Sequence, residues 1–252
     1  MTAELPRDTR IARYMTLAKF VSMLATSSLH FTSVPRFEDD HEGTLSPEAP
    51  PKDDTDKHLR RALNGDYLKR ADSFYANCWH VAETESVALW QLYAPSNNGV
   101  SIVTTVGQLH DSTPGIHVSP VTYSDTIEPG QGGYHGPFLR KRRCFEHEKE
   151  VRAWFEEFTL TERTRSRRFV EGVSKKVELG TLIDCVSVSP GSESYFLAAV
   201  QEVCSRFGLD IEVLSSAVDS PPSTDYAPLA RKLKEMYDRH FTATTSSAST
   251  VQ

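Results

Sequence analysis

With 252 residues, of which 38% are hydrophobic and 25% charged, the chain has the composition of a globular protein and not that of a disordered one. Its formal net charge of −6 argues against a general nucleic-acid coat, which is usually strongly basic, but leaves room for local basic patches. No apolar run approaches the roughly 18 residues of a membrane-spanning helix, and the polar N-terminus lacks a signal-peptide core. The sequence therefore predicts a cytoplasmic protein without a membrane segment.

The four cysteines lie far apart, at Cys78, Cys144, Cys185 and Cys204. In a cytoplasmic chain of this length they need not pair, and without a Cys-x-x-Cys motif they do not suggest a zinc framework. The nine histidines show no His-Glu-x-x-His or similar spacing. We therefore expect reduced thiols and predict no metal site from these motifs.

Proline, glycine and acidic residues cluster in two segments, 45–57 and 111–136, which we predict to be surface loops. The last eleven residues, 242–252, are rich in Ser, Thr and Ala and are expected to form a flexible tail. No internal repeat is found. These boundaries predict a single domain over residues 1–241.

The remaining segments alternate between strand and helix patterns. Strands are predicted at Arg10–Tyr14, Leu29–Val34, Ser73–Trp79, Val100–Val106, Val118–Tyr123, Lys149–Glu157, Leu182–Val188 and Ile211–Leu214. Helices are predicted at Thr16–Ser27, Asp56–Asn64, Glu85–Tyr93, Gly136–Phe145, Ser192–Phe207 and Ala227–His240. The order of these elements predicts a sheet-centred α+β protein.

Charged residues near the N-terminus form the first candidate site. Arg13 lies within a predicted strand, where it is either ion-paired or part of an anion-binding cleft, since its planar fork matches a phosphate. Asp39, Asp40 and Glu42 follow the second strand and form either a solvated turn or a cation site.

Aromatic residues form the second candidate site. Trp79, Trp90 and Tyr93 are close in sequence, and the last two share one helix face. They form either a core cluster or a stacking platform for a planar ring. His80 is either a hydrogen-bonded structural residue or a general base.

A Glu-x-Glu pair forms the third candidate site. On a strand, Glu148 and Glu150 would point to the same face, where two carboxylates repel and the proton affinity of one of them rises. One alternative is an exposed edge strand with Glu150 paired to Arg152 or Lys141; the other is catalysis.

Basic residues form two patches in an otherwise acidic chain. They lie at Arg140, Lys141, Arg142 and Arg143, and at Arg163, Arg165, Arg167 and Arg168. They are either solvated surface or a contact face for a phosphate-rich partner.

Taken in order, several short motifs resemble a large bacterial family whose members are often described as abortive-infection or phage-resistance proteins. The residues that carry this resemblance span roughly residues 10 to 217 and are Arg13, Tyr14, Leu17, Phe20, Leu24, Leu29, Phe31, Ser33, Phe37, Asp39, Glu42, Gly43, Leu89, Trp90, Tyr93, Ala94, Gly99, Phe145, Glu148, Glu150 and Arg152. The chain departs from the family at Asp40, where a proline is usual. The family carries no agreed activity.

More remotely, the order of the blocks is similar to that of ADP-ribosyltransferases. The matching pieces are Arg13 on the first strand, Thr32-Ser33 on the second and the Glu148-x-Glu150 strand near the end of the core. This resemblance implies a central, mostly antiparallel split sheet with flanking helices. It also implies an enzyme that cleaves NAD and transfers ADP-ribose to a protein or nucleic acid, as a toxin or phage-defence effector with a possible neutralising partner.

The same resemblance implies roles for particular residues. Glu150 would stabilise the oxocarbenium-like state, and Glu148 would orient the acceptor. Arg13 would bind a phosphate or the adenylate ribose, and Ser33 would fix the strand geometry around Glu150. For nicotinamide stacking the candidates are Tyr14, Trp90 and Tyr93. A Gly-x-Gly-x-x-Gly loop is absent, so NAD would not be held in the Rossmann manner.

Two other functions remain open from the sequence. The first is a binding module of a defence system, with a contiguous basic face formed by Arg140, Arg142, Arg165 and Arg168. The second is a metal-dependent nuclease with Mg²⁺ held by Asp39, Glu42, Glu148 and Glu150.

Overall fold

The computed structural model describes residues 4–37, 39, 42, 53–55, 57–58, 71, 73–126, 133–157, 172–220, 231 and 234. The chain divides into two units, 1–219 and 220–252. In the second unit Ser220, Arg231 and Lys234 are described, the last two in helical conformation. The strands and helices labelled below lie in the first unit. The predicted extent of the domain, 1–241, stays a prediction.

The strands are β1 Arg10–Thr16, β2 Ser28–Ser33, β3 Phe74–Val81, β4 Gly99–Thr105, β5 His117–Pro120, β6 Thr122–Tyr123, β7 Arg140–Lys141, β8 Glu150–Glu156, β9 Gly172–Lys176, β10 Cys185–Val188 and β11 Glu212–Leu214. The α-helices are α1 Leu17–Thr26, α2 Val87–Tyr93, α3 Val106–Ser112, α4 Leu179–Leu182 and α5 Ser194–Arg206. Short 3-10 helices include Val34–Arg36, Gly133–Leu139 and Arg143–Glu148.

Within the described residues, nine of these strands form one sheet, which contains the path β11-β10-β4-β1-β3-β2-β9. Strand β8 pairs with β3 and with β5. All pairs in this sheet are antiparallel except β10 with β11. Strands β6 and β7 form a separate parallel pair. The predicted fold class is therefore confirmed: α+β, with a central, mostly antiparallel sheet and flanking helices.

The sheet splits at β3. One edge of β3 pairs with β8 along its length, from Phe74 to His80. The other edge is shared by two strands, with β1 at Val81 and His80 and β2 at Ala76 and Tyr75. Between them, residues 77–79 of β3 have no register partner in β1 or β2. The split follows from the chain path, because β1 turns away along β4 and helix α1 leads the chain back into β2.

The two faces of the sheet differ in what they bury. One face carries Ile11, Ile102 and Val151 and packs against α1 and α5 in the main apolar core. The opposite face carries two smaller apolar clusters, one around Trp90 of α2 and the other around Trp154 of β8. Cys78 and His80 of β3 lie on this opposite face between the two clusters, because strand residues alternate between faces.

Helix α1 forms as predicted because its sequence supplies both caps and an apolar stripe. The Thr16 side chain accepts a hydrogen bond from the Lys19 amide at the N-terminus, and Ser27 ends the helix in the left-handed region with φ 41°. Its buried residues are Phe20, Met23 and Leu24. The helix therefore holds β1 and β2 apart at a fixed spacing on the core side.

Several predictions of local structure were wrong. Segment 136–145 is not a helix but a 3-10 turn containing Pro137, strand β7 and the start of a second turn. The Lys141 side chain of this segment bonds inward to carboxylates, while Arg142 and Arg143 are exposed. Segment 111–136 is not all loop, because it contains β5 and β6, which largely match the strand predicted at 118–123. Helices α3 and α4 and strand β9 were not predicted. Most of the helices predicted at 56–64 and 227–240, and of loop 45–57, lie outside the described residues.

No helix among the described residues combines the length and apolar character needed to cross a bilayer.

Gly99 lets α2 close against the start of β4, and its replacement tests this contact. A Cβ at Gly99 would lie 2.0 Å from the Ala94 Cβ and 2.9 Å from the Met15 carbonyl oxygen. We expect Gly99→Ala to lower the free energy of unfolding in urea by about 1–3 kcal/mol. The matched control is Gly180→Ala in α4, where a Cβ meets nothing within 4 Å and alanine favours the helix. Equal stabilities for the two variants would contradict this packing.

Candidate functional site

A buried ion network lies on the face of the sheet that carries Cys78 and His80. The Arg152 guanidinium donates to both Glu150 carboxylate oxygens, from Nε at 2.7 Å and from Nη2 at 3.0 Å. Its Nη1 donates to the Phe138 carbonyl at 2.7 Å, and Nη2 also donates to Glu42. The side chains of Arg152 and Glu150 are only 1% and 2% exposed. Arg152 is therefore a fully paired buried cation.

Lys141 joins the same network from strand β7. Its ammonium nitrogen lies 2.7 Å from Glu148 Oε2, 3.0 Å from Glu42 Oε1 and 3.3 Å from Glu150 Oε2. An ammonium has three donors, so all three are used. Three carboxylates and two cations leave the network with one net negative charge when all five groups are ionised.

The charged groups of the network shift one another's pKa values and so determine which of them are ionised. Burial alone would raise the pKa of Glu150, but the adjacent Arg152 and Lys141 outweigh it and lower that pKa below its ordinary value. Burial would lower the pKa of Lys141, but Glu150, Glu42 and Glu148 outweigh it and raise that pKa above its ordinary value. Both groups are therefore charged at neutral pH. The nearby Cys78 thiol is neutral, because burial and then the Glu150 charge raise its pKa.

His80 on β3 fixes the turn that precedes β8. Its Nδ1 donates to the Glu148 carbonyl at 2.8 Å, so Nδ1 carries the proton in the neutral ring. Burial, the largest influence, lowers the pKa of His80, which keeps the ring neutral at pH 7. Lys149 follows in the left-handed region with φ 43°. The prediction that Glu148 and Glu150 alternate on one strand was wrong, because Glu148 ends a 3-10 helix and Glu150 begins β8. Both carboxylates nevertheless meet at Lys141.

Arg13 lies on β1, where β1 leaves β3 at the split. It is half-buried, and no described residue makes a hydrogen bond or ion pair with its guanidinium. Burial lowers the pKa of Arg13, while the groups next in influence, Cys78 and Tyr93, raise it. Cys78 and Tyr93 are also close enough to Glu150 for its charge to raise their own pKa values. Arg13 and Glu150 are therefore both within electrostatic range of Cys78 and Tyr93.

The three predicted stacking residues have different environments. Tyr14 and Trp90 are buried edge to face against each other, with ring centroids 4.8 Å apart. The Tyr14 hydroxyl accepts a hydrogen bond from the Ser86 amide, and Trp90 Nε1 donates to Glu85. These two rings are core residues. Tyr93 is half-buried, and its ring lies 5.4 Å from that of His80. Tyr93 alone of the three is placed to meet a ligand beside the carboxylates.

Ser33 does not reach Glu150. It lies opposite Tyr75 at the start of β3, whereas Glu150 lies opposite His80 near its end. It also shares the core-side face of β2 with Leu29 and Phe31. The role implied for Ser33 beside Glu150 therefore has no support in this geometry, because four residues of β3, 76–79, separate the two positions.

The structure can be compared with three pairs of alternatives that the sequence left open. The expected pairing of Glu150 with Arg152 or Lys141 occurs with both, but β8 is a buried strand with partners on both sides and not an exposed edge. In the acidic turn, Glu42 joins the network and Asp39 pairs with Arg142 at 2.9 Å, while Asp40 lies outside the described residues. Arg165 and Arg168 lie outside the described residues, so the basic face stays a prediction.

Three of the four carboxylates that the sequence suggested as Mg²⁺ ligands of a nuclease lie close together. Glu42, Glu148 and Glu150 meet at the Lys141 ammonium, while Asp39 is held by Arg142. The charge that a divalent cation would balance is thus balanced by Lys141 and Arg152. Among the described residues, no group of three or more His, Cys, Asp or Glu side chains has a metal-binding arrangement.

Sequence reasoning found the members of this network but not how they join. Lys141 was named as a possible partner of Glu150, and Glu42 was grouped with Glu148 and Glu150 as a possible metal ligand. The direct pairing of Glu42 with Lys141 and Arg152 was missed, because pairing between positions about a hundred residues apart has no local pattern. The place of Cys78 beside Glu150 was also missed, although alternation along β3 puts Cys78 on the face opposite Tyr75 and Trp79.

No protein-family model matches the chain, and no curated protein matches its sequence. Solved structures of DarT from Thermus sp. 2.9 are remotely similar. The structure in complex with NAD+ has a TM-score of 0.43 at 9% identity, covering 86% of this chain and 100% of that one. The complex with carba-NAD+ has a TM-score of 0.40 at 10% identity and covers 86% of this chain and 100% of that one. The complex with ADP-ribosylated ssDNA has a TM-score of 0.42 at 9% identity and covers 88% of this chain and 100% of that one. A likeness this low carries no functional argument, and the abortive-infection resemblance stays a prediction.

The buried network predicts a large loss of stability when its central cation, Arg152, is removed. Arg152→Met leaves two buried carboxylates without their guanidinium partner, and we expect the free energy of unfolding in urea to fall by about 3–5 kcal/mol. The matched control is Arg206→Met, which removes the exposed i,i+4 pair with Glu202. It is expected to change stability by less than about 0.5 kcal/mol. Similar losses in both variants would contradict a buried network.

The lowered pKa of Glu150 predicts acid sensitivity. Its contribution to stability is fully present above the ordinary value of 4.5 and is lost as pH falls toward the lowered pKa, because the unfolded carboxyl binds a proton first. We therefore expect the stability difference between wild type and Glu150→Gln to shrink between about pH 6.5 and about pH 3.5. Urea unfolding at both pH values measures it. A difference that stays constant or grows would contradict the lowered pKa.

Proposed function

We propose that this protein cleaves NAD at the bond between nicotinamide and ribose and transfers ADP-ribose to a macromolecule. The observation that carries the proposal is the half-buried Arg13 at the sheet split, which has no hydrogen-bond or ion-pair partner among the described residues and, like Glu148 and Glu150, is within electrostatic range of Tyr93. A half-buried cation without a counter-ion costs stability, so its presence at the split favours an anionic ligand.

The residue types match the parts of NAD. The guanidinium of Arg13 presents a planar fork of donors suited to the diphosphate. The half-buried ring of Tyr93 offers a face for the planar nicotinamide. Glycosidic cleavage develops positive charge on the ribose, and a fixed carboxylate beside that charge stabilises the transition state. Glu148 and Glu150 supply two such carboxylates in a site held rigid by Lys141.

In the proposed reaction the bond between the ribose C1′ and the nicotinamide nitrogen breaks, and both electrons go to the nicotinamide, which leaves neutral. A nucleophilic oxygen or nitrogen of the acceptor then bonds to C1′, and its proton passes to solvent. The buried network excludes water from one side of the ribose, which favours transfer over hydrolysis.

The family resemblance extends the proposal to biology. We propose that the acceptor is a protein or a nucleic acid and that the protein acts as a toxin or phage-defence effector in the cytoplasm. An enzyme that consumes NAD there requires control, so a neutralising partner belongs to the same proposal.

Arg13→Gln tests the proposal at the anion-binding residue. With purified protein and NAD, we expect wild type to release nicotinamide in the presence of cell lysate as an acceptor source. Arg13→Gln should weaken NAD binding by calorimetry about 10- to 100-fold, because it removes a charged hydrogen-bond donor. Its melting temperature should not fall, since no described residue pairs with the guanidinium.

The matched control is Arg10→Gln, an exposed arginine at the start of the same strand. It is expected to bind NAD as wild type does. If wild type neither bound NAD nor released nicotinamide, the proposed function would be overturned. Equal losses in Arg10→Gln and Arg13→Gln would show that net charge, and not a site at the split, determines binding.

A further inference from the structure

Glu148 and Glu150 differ in how much of their hydrogen-bonding capacity the protein itself uses. A carboxylate offers about four acceptor positions. Glu150 accepts three bonds, at 2.7 and 3.0 Å from Arg152 and at 3.3 Å from Lys141, and the Cys78 thiol lies beside it. The Glu150 carboxylate is therefore close to saturated. It has almost no capacity left for a substrate hydroxyl.

The Glu148 carboxylate accepts fewer hydrogen bonds from the protein than that of Glu150. Its Oε2 accepts one bond, from Lys141 at 2.7 Å, and no described residue bonds to its Oε1. Tyr93 lies on the same side, since its ring is 5.4 Å from that of His80, whose Nδ1 donates to the Glu148 carbonyl at 2.8 Å. The Glu148 charge accordingly raises the pKa of Tyr93, second only to burial. The free oxygen therefore belongs to the carboxylate nearest the half-buried ring that is suited to nicotinamide.

The backbone also positions Glu148 better than its sequence pattern suggests. The carbonyl of Glu148 accepts the His80 Nδ1 proton at 2.8 Å, and the next residue turns in the left-handed region. The Tyr123 hydroxyl accepts the Glu150 amide proton at 2.7 Å on the other side of the turn. The Glu148 side chain thus stands on a turn fixed at both ends, as a catalytic group requires.

We propose that Glu148 is the catalytic carboxylate of this site and that Glu150 is a structural member of the network. This inference rests on the proposed NAD cleavage. Glu148 accepts a hydrogen bond from a ribose hydroxyl through Oε1, and its negative charge faces the positive charge that develops as the bond to nicotinamide breaks. Both electrons of that bond leave with nicotinamide, the acceptor bonds to C1′ and loses its proton to solvent, and Glu148 stays ionised throughout.

Glu148→Gln tests the inference in the full-length protein with NAD and lysate. Lys141 keeps two carboxylate partners in this variant, so the fold is expected to survive, with a melting temperature close to that of wild type. We expect kcat for nicotinamide release to fall at least about 100-fold, as for loss of one charge-stabilising group, with the Kd for NAD changed less than about threefold. The matched control is Glu146→Gln, an exposed carboxylate in the same turn, which should keep full activity.

The possible outcomes distinguish a failure of this inference from a failure of the proposed function on which it rests. Wild type that neither binds NAD nor releases nicotinamide would overturn the proposed function and the inference with it. Release by wild type that Glu148→Gln retains within about threefold would overturn the assignment of Glu148 alone. A folded Glu150→Gln variant that loses all release while Glu148→Gln keeps it would return the catalytic role to Glu150. Loss in Glu148→Gln with wild-type melting and NAD binding supports the inference.

Discussion

The site depends on a buried arrangement of two cations and three carboxylates. Ions lose their hydration when buried, and their mutual attraction repays that cost only when the geometry is good and the remaining donors are satisfied. Lys141 meets this condition with three carboxylate partners, and Arg152 meets it with two carboxylates and the Phe138 carbonyl. The network also ties together segments that are distant in sequence, from Glu42 to Arg152. Removing either cation leaves buried carboxylates with uncompensated charge.

The split sheet gives this network an open side. Strand β3 holds β8, and with it the carboxylates, along one edge, while β1 and β2 share the other edge and leave residues 77–79 between them. Arg13 stands where β1 departs, with no partner among the described residues. The protein therefore combines a buried ion network with a half-buried arginine at the split that has no hydrogen-bond or ion-pair partner among the described residues. Such local departures from optimal stability are typical of binding and catalytic sites.

Much of the fold was readable from local patterns. The strand at β8 was predicted because Val151, Ala153 and Phe155 occupy alternate positions, and these three residues lie together in the main core. Helix α1 was predicted because its apolar spacing matches a helix. Segment 136–145 failed because its basic residues look like a solvated helix face, whereas Lys141 is buried among carboxylates. Local periodicity could not show this, since the partners that reverse its meaning lie on other elements.

The sequence by itself determined the α+β class, the sheet-forming segments and the residue types of the site, including Arg13 and the Glu148/Glu150 pair. These depend on composition and on short-range spacing. Only the tertiary structure decided which aromatic rings are core, that Ser33 lies away from the carboxylates, and that Glu148 and not Glu150 keeps a free oxygen. The reason is physical: burial and hydrogen-bond saturation depend on partners brought together across the whole chain, and no local pattern encodes them.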